Sequence, residues 1–125
     1  MTQKGEASAM TAHSRQVLLD LVQWNGRIDD LIAAARMIPE SGFPAVVLDR
    51  ASAQAALRKV LAGEALPGDL TAWTEQLHMR EDIDIEPGHE DLLTQFLFEM
   101  STPELFEPIT RELCNRWLDE LRATT

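Results

Sequence analysis

Apolar residues recur every three or four positions along most of the chain, and this period constrains the fold more than any other feature of the sequence. The last segment illustrates it, with Leu113, Trp117, Leu118 and Leu121 spaced to share one side of a helix. Apolar residues at this spacing line one face of an α-helix, whereas a half-buried strand alternates at every second position. No segment alternates convincingly in that way, so the sequence predicts an all-α protein.

Residues that start and stop helices divide this pattern into segments. Candidate caps and stops are, in chain order, Ser14, Gly26, Pro39, Asp49 or Ser52, Gly63, Asp69 and Thr110. Side-chain oxygens at helix starts accept backbone N–H groups, while glycine and proline favour helix ends. Short loops between the segments favour a compact antiparallel helical bundle of five to six helices. Trp24, Trp73 and Trp117 are expected to pack in its core.

One short segment could be a strand. Val46, Val47 and Leu48 are consecutive apolar residues, but three residues without an evident partner favour an apolar segment packed ahead of the next helix. We therefore predict no sheet.

The chain of 125 residues has the size of one domain. Residues 1–13 are small and polar without a period, which predicts a flexible N-terminal tail followed by a single helical domain at 14–125. The sequence contains no apolar run of membrane-spanning length and no signal-peptide core, and its one cysteine cannot form an internal disulfide. We therefore expect a cytoplasmic protein.

Acidic residues are concentrated in one part of the chain. The formal net charge is −10, from 21 acidic and 11 basic residues, and nine of the acids lie between Arg80 and Arg111, where no Lys or Arg occurs. We call residues 81–110 the acidic stretch. A negative surface repels nucleic acid and anionic membranes and attracts basic proteins. The expected partner is therefore a basic protein, with no nucleic acid and no membrane.

The start of the acidic stretch lacks the spacing of a calcium loop. Asp82, Asp84 and Glu86 alternate as in an EF-hand, but Pro87 stands where that loop needs glycine and Leu93 where it needs glutamate. The sequence therefore predicts no EF-hand site.

Other chemical motifs are also missing. His78 and His89 do not have the spacing of a zinc motif, and Cys114 lies on the apolar side of the last helix, as is typical of a small buried residue. The sequence has no phosphate-binding glycine loop, serine-nucleophile motif or dinucleotide fingerprint. We predict a protein that is not an enzyme and has no catalytic residues, metal or cofactor.

The segments "LRKVLAGEALPGDLTAWTEQLHMREDIDIE" and "FLFEMSTPELFEPIT" resemble small helical bacterial proteins of the colicin-immunity-like kind. The resemblance covers roughly residues 48–120. It implies a helical bundle that binds a cognate toxin, often a nuclease, and blocks the active site or substrate groove with an acidic surface. Such an inhibitor has no chemistry of its own.

The resemblance assigns the contact to the REDI turn and the acids that follow it. These residues are Glu81, Asp82, Asp84, Glu86, Glu90 and Asp91. We expect Ile83, Ile85 and Phe106 to supply apolar contact near these carboxylates. An alternative function is a non-enzymatic helical adaptor or regulatory protein, homodimeric through the alanine-rich "LIAAARMI", in which the acids only maintain solubility.

Overall fold

A computed structural model describes residues 2–39 and 46–123, with side chains from Ala12 onward. The elements are α1 (Thr2–Gln23), α2 (Ile28–Arg36), β1 (Val46–Leu48), α3 (Arg50–Leu61), α4 (Pro67–Met79), β2 (Ile83–Ile85), α5 (Glu90–Ser101), a 3₁₀ turn (Pro103–Leu105) and α6 (Arg111–Ala123). Within these ranges the chain is mostly helical, which confirms the all-α prediction in its broad form.

A small parallel sheet departs from the sequence prediction. β1 pairs with β2, with Val46 opposite Ile83, Val47 opposite Asp84 and Leu48 opposite Ile85. The prediction that β1 would be an apolar segment without a strand partner was wrong, because it pairs with β2, which begins at Ile83, the last residue of the REDI sequence. Parallel strands need a long crossover, which α3 and α4 provide here. The sheet therefore brings the start of the acidic stretch against the start of α3.

The first two helices are separated by a turn. α1 ends at Gln23, and Trp24 and Gly26 have φ angles of +52° and +127° before α2 begins. Positive φ ends a helix, and glycine adopts it without steric cost. Gly26 therefore separates two helices instead of kinking one.

α1 also begins before Ser14, so the prediction of Ser14 as an N-cap was wrong, while the assignment of 1–13 as a flexible tail stays a prediction.

Polar side chains bind backbone N–H groups at the starts of α3, α4 and α6. Asp49 accepts the Ser52 N–H at 2.8 Å and Thr110 accepts the Leu113 N–H at 3.2 Å, which confirms both predicted caps. α4 begins at Pro67, earlier than predicted, and Asp69 lies inside its first turn, where the carboxylate accepts the Leu66 N–H at 2.9 Å.

The core is formed by the inward faces of the helices and the sheet. The three tryptophans are buried, as predicted. The Trp73 indole lies 5.4 Å from that of Trp24 and donates from Nε1 to the Leu21 carbonyl at 2.7 Å, while Phe96 meets Trp117 edge to face at 5.3 Å. Among the described helices, none combines the length and apolar content needed to cross a membrane.

Candidate protein-binding surface

The six carboxylates predicted to contact a partner divide into two groups. Asp82 and Glu86 form ion pairs with arginines inside the fold, and we call them the paired carboxylates. Glu81, Asp84, Glu90 and Asp91 are exposed, and we call them the open carboxylates. The length of β2 explains the division among the residues around it. Only residues 83–85 have strand geometry, and Asp82 and Glu86 on either side of the strand turn toward the protein.

Asp82 is buried, with 1% of its surface exposed. Its two oxygens accept hydrogen bonds from Arg80 Nε and Nη2, both at 2.8 Å, in a bidentate pair. The same guanidinium donates to the Ala35 carbonyl at 3.0 Å and to the Ile38 carbonyl at 3.5 Å. The pair therefore fastens the last turn of α2 to the segment before β2. A partner cannot reach the Asp82 carboxylate in this conformation, contrary to the role predicted for it.

Glu86 is partly buried and bound to the start of α3. Its Oε1 accepts from Arg50 Nε at 2.9 Å and from the Arg50 backbone N–H at 3.0 Å, and its Oε2 accepts from Nη2 at 3.1 Å. These hydrogen bonds from Arg50 lower the pKa of Glu86 from 4.5 to about 2. Since the Glu86 N–H also donates to the Leu48 carbonyl at 2.9 Å, this residue holds β2 against β1 and α3.

The open carboxylates lie just before β2, within it and in the first turn of α5. Asp84 points from the exposed face of the sheet, and its Oδ1 accepts the Ile85 N–H at 2.9 Å. Glu90 and Asp91 lie in the first turn of α5, where negative charge interacts favourably with the helix dipole. Among the described residues, none of the four open carboxylates has an ion-pair partner.

Two of the predicted apolar contacts are directed inward. Ile83 is buried and Ile85 is half-buried, because both point from the inner face of β2 into the core. Phe106 is exposed over 43% of its surface, in agreement with the prediction.

Phe106 belongs to an exposed aromatic cluster that the sequence analysis did not predict. Its ring meets Phe98 edge to face at 5.2 Å, and Phe98 stacks on His78 with ring centroids 6.3 Å apart. We call His78, Phe98 and Phe106 the aromatic ridge. Phe98 falls outside the buried apolar face of α5, and the helical period of the sequence alone could have identified it as an exposed residue. Met79 and Leu105, next to the ridge in sequence, are each 67% exposed.

Groups capable of other chemistry are not assembled at this surface. Cys114 is fully buried, as predicted, and burial raises the pKa of its thiol, which disfavours the nucleophilic thiolate. Among the described side chains, no cluster of three or more His, Cys, Asp or Glu residues is arranged to hold a metal ion. The surface presents exposed carboxylates and exposed aromatic side chains, and aromatic side chains are enriched in protein interfaces.

Comparisons of the chain with known protein families, curated proteins and solved structures find no match. The resemblance to colicin-immunity-like proteins stays a prediction.

Proposed function

We propose that this is a non-enzymatic binding protein that captures a basic protein through the acidic stretch, as an immunity protein neutralises a nuclease-like toxin in the bacterial cytoplasm. The observation that carries this proposal is the set of open carboxylates. Four negative side chains are exposed without a cation to balance them among the described residues. Uncompensated carboxylates of this kind attract the Lys and Arg side chains of a nucleic-acid-binding groove.

The paired carboxylates support the proposal in a different way. Arg80 and Arg50 bind the residues on both sides of β2, so Glu81 and Asp84 project from a segment that is already ordered. A preorganised surface loses less conformational entropy on binding than a mobile one. The guanidinium groups of Arg80 and Arg50 are bound to Asp82 and Glu86 in this arrangement.

The scaffold in this proposal is the antiparallel helical bundle expected from the sequence. Arg111, the first residue of α6, donates to the carbonyl of Leu61, the last residue of α3, at 2.9 Å. Contact between the start of one helix and the end of the other supports an antiparallel arrangement for that pair.

The adaptor function is a second candidate because α2 has an apolar exposed side. Ala33 and Ala34 are exposed, and Met37 after the helix is 84% exposed. Small side chains allow another helix to approach closely, which favours a homodimer through α2. Sedimentation velocity over a range of concentrations tests this candidate: a dimer that Ala34→Glu dissociates would support it.

The proposed function is tested by affinity capture from a lysate of the source organism at low and high salt. The wild-type protein is compared with Glu81→Lys/Asp84→Lys, which reverses two open carboxylates and leaves both ion pairs intact. The matched control is Glu64→Lys/Asp119→Lys, which changes the net charge equally at exposed positions outside the acidic stretch.

We expect one basic protein to be captured by the wild type and the control, less at high salt, and to be lost by the Glu81→Lys/Asp84→Lys variant. Once identified, that protein should be toxic when expressed alone and harmless when co-expressed with the wild type. Equal capture by both double variants would contradict the proposal, because net charge would then account for the binding.

A further inference from the structure

We infer that the aromatic ridge is the apolar centre of the contact, and that its occupant is an amphipathic helix of the basic partner with Lys and Arg flanking its apolar face. The inference rests on the proposed function and specifies which part of the acidic stretch the partner buries. It shifts the centre of the contact from the REDI turn toward the last turns of α4 and α5.

Exposure and clustering of apolar groups distinguish the ridge from the remaining surface. Phe98 and Phe106 are 41% and 43% exposed although both are large enough to fill a core position. His78 stacks on Phe98, so the ridge crosses from α4 to α5 and on to the segment after the 3₁₀ turn. Exposed aromatic side chains held by their neighbours are typical centres of protein interfaces, because little entropy is lost when they are covered.

Charge around the ridge defines the chemistry of the occupant. Glu75 lies one helical turn before His78, and Asp91 lies two turns before Phe98, so each shares a helix face with a ridge residue. Glu104 is exposed in the 3₁₀ turn just before Phe106. None of these three carboxylates forms an ion pair within the described part of the chain.

Arg80, which follows α4, and Arg116, in α6, are engaged in ion pairs. Arg80 is 9% exposed and directed toward Asp82 and the end of α2, and Arg116 pairs with Glu107. Exposed carboxylates on the elements that carry the aromatic ridge fit a helix whose apolar face is bordered by cations, because complexes with amphipathic helices bury that face and place its flanking charges opposite those of the protein. A second copy of this chain fits poorly, because two such faces would place like charges opposite one another.

A synthetic helical peptide tests the inference without knowledge of the natural partner. The probe is a leucine and lysine peptide of about four helical turns with all leucines on one face, and its control is a scrambled peptide of the same composition. Binding is measured by fluorescence anisotropy with wild type, Phe98→Ser, Phe106→Ser and Met37→Ser. The last variant removes an exposed apolar side chain remote from the ridge in sequence.

We expect the amphipathic peptide to bind wild type and Met37→Ser equally, and each ridge variant about tenfold more weakly. The scrambled peptide should bind at least about tenfold more weakly than the amphipathic one. Circular dichroism verifies the fold of each variant. If Phe98→Ser unfolds, Phe106→Ser still tests the ridge, because Phe106 lies outside the helices.

Three results would overturn the inference. Equal binding of both peptides would mean that charge alone holds them. Ridge variants that bind as wild type does, while Glu81→Lys/Asp84→Lys binds weakly, would place the contact at the open carboxylates and leave the proposed function standing. Self-association of the wild type that Phe98→Ser abolishes would make a second copy the occupant. Failure to capture any basic protein would refute the proposed function separately.

Discussion

The two ends of the acidic stretch use similar residues in opposite ways. At the β2 end, residues 81–86, the isoleucines point inward and two of the four carboxylates are bound to arginines. At the other end, residues 98–107, two phenylalanines and a leucine are exposed, and among the described residues only Glu107 of the three glutamates forms an ion pair. The first end contributes its polar groups to the fold, and the second leaves its apolar groups to solvent.

This difference shows that charge density alone does not locate a binding surface. A carboxylate bound to an arginine offers a partner little, since its charge is already balanced. An exposed phenylalanine among unbalanced carboxylates gives both burial and selectivity. The β2 end should therefore dominate stability and the ridge end should dominate affinity.

The largest expected effect is at Asp82. Asp82→Ala removes the buried carboxylate that pairs with Arg80, and loss of one partner of a buried pair costs about 3–5 kcal/mol of unfolding free energy. Urea denaturation followed by circular dichroism measures this change. Asp84→Ala, two residues along and exposed, is the matched control and should change stability by less than ~0.5 kcal/mol. Similar losses in both variants would contradict the division between paired and open carboxylates.

Binding kinetics should separate the two ends next. For the captured partner, Phe98→Ser should raise the dissociation rate about tenfold with little change in the association rate, because it removes short-range packing. Glu81→Lys/Asp84→Lys should instead lower the association rate and flatten its dependence on salt. Stopped-flow mixing at several ionic strengths measures both rates. If Phe98→Ser altered only the association rate, the ridge would not be a site of burial.

A smaller, pH-dependent effect is expected at Glu86. Its pKa falls from 4.5 to about 2 on folding, so its ion pair stabilises the protein fully above the unfolded value. That contribution is lost as the pH falls from 4.5 toward 2. The difference in unfolding free energy between wild type and Glu86→Gln should therefore be constant near neutral pH and shrink through this window. Urea titrations at a series of pH values would show it, and a difference that grew on acidification would refute the ion pair's role.

The smallest effect should come from an open carboxylate at a helix start. Glu90→Gln removes one negative charge from the first turn of α5 and should cost about 0.3–1 kcal/mol through the helix dipole. Thermal unfolding at low and high salt measures it, and the loss should shrink as salt increases. Loss of stability as large as that of Asp82→Ala would show that Glu90 has a specific partner in the fold.

Sequence reasoning predicted the elements with local causes. Asp49 and Thr110 cap helices through bonds within three residues, and the burial of Trp73 follows from helical period. It could not predict contacts between distant segments. Glu86 binds Arg50, which lies 36 residues away, and β1 finds its partner at a similar distance. Only the folded chain brings these groups together.

The candidate surface was predicted in part for the same reason. The alternation in "EDIDIE" places Asp82, Asp84 and Glu86 on one side of a strand, but the strand covers only 83–85, so the outer two turn toward arginines. Which carboxylates are open depends on those tertiary contacts. The exposure of Phe98, by contrast, could have been predicted from the sequence, because this residue lies off the apolar face formed by Leu93, Phe96 and Leu97.

Hydrogen–deuterium exchange of this protein, alone and with the captured basic partner, tests the central claim most directly. We predict that binding slows amide exchange in β2, α5 and the segment through Phe106, and leaves α2 unchanged. Slowed exchange confined to α1 and α2, with the acidic stretch exchanging as in the free protein, would contradict the account and favour the adaptor function.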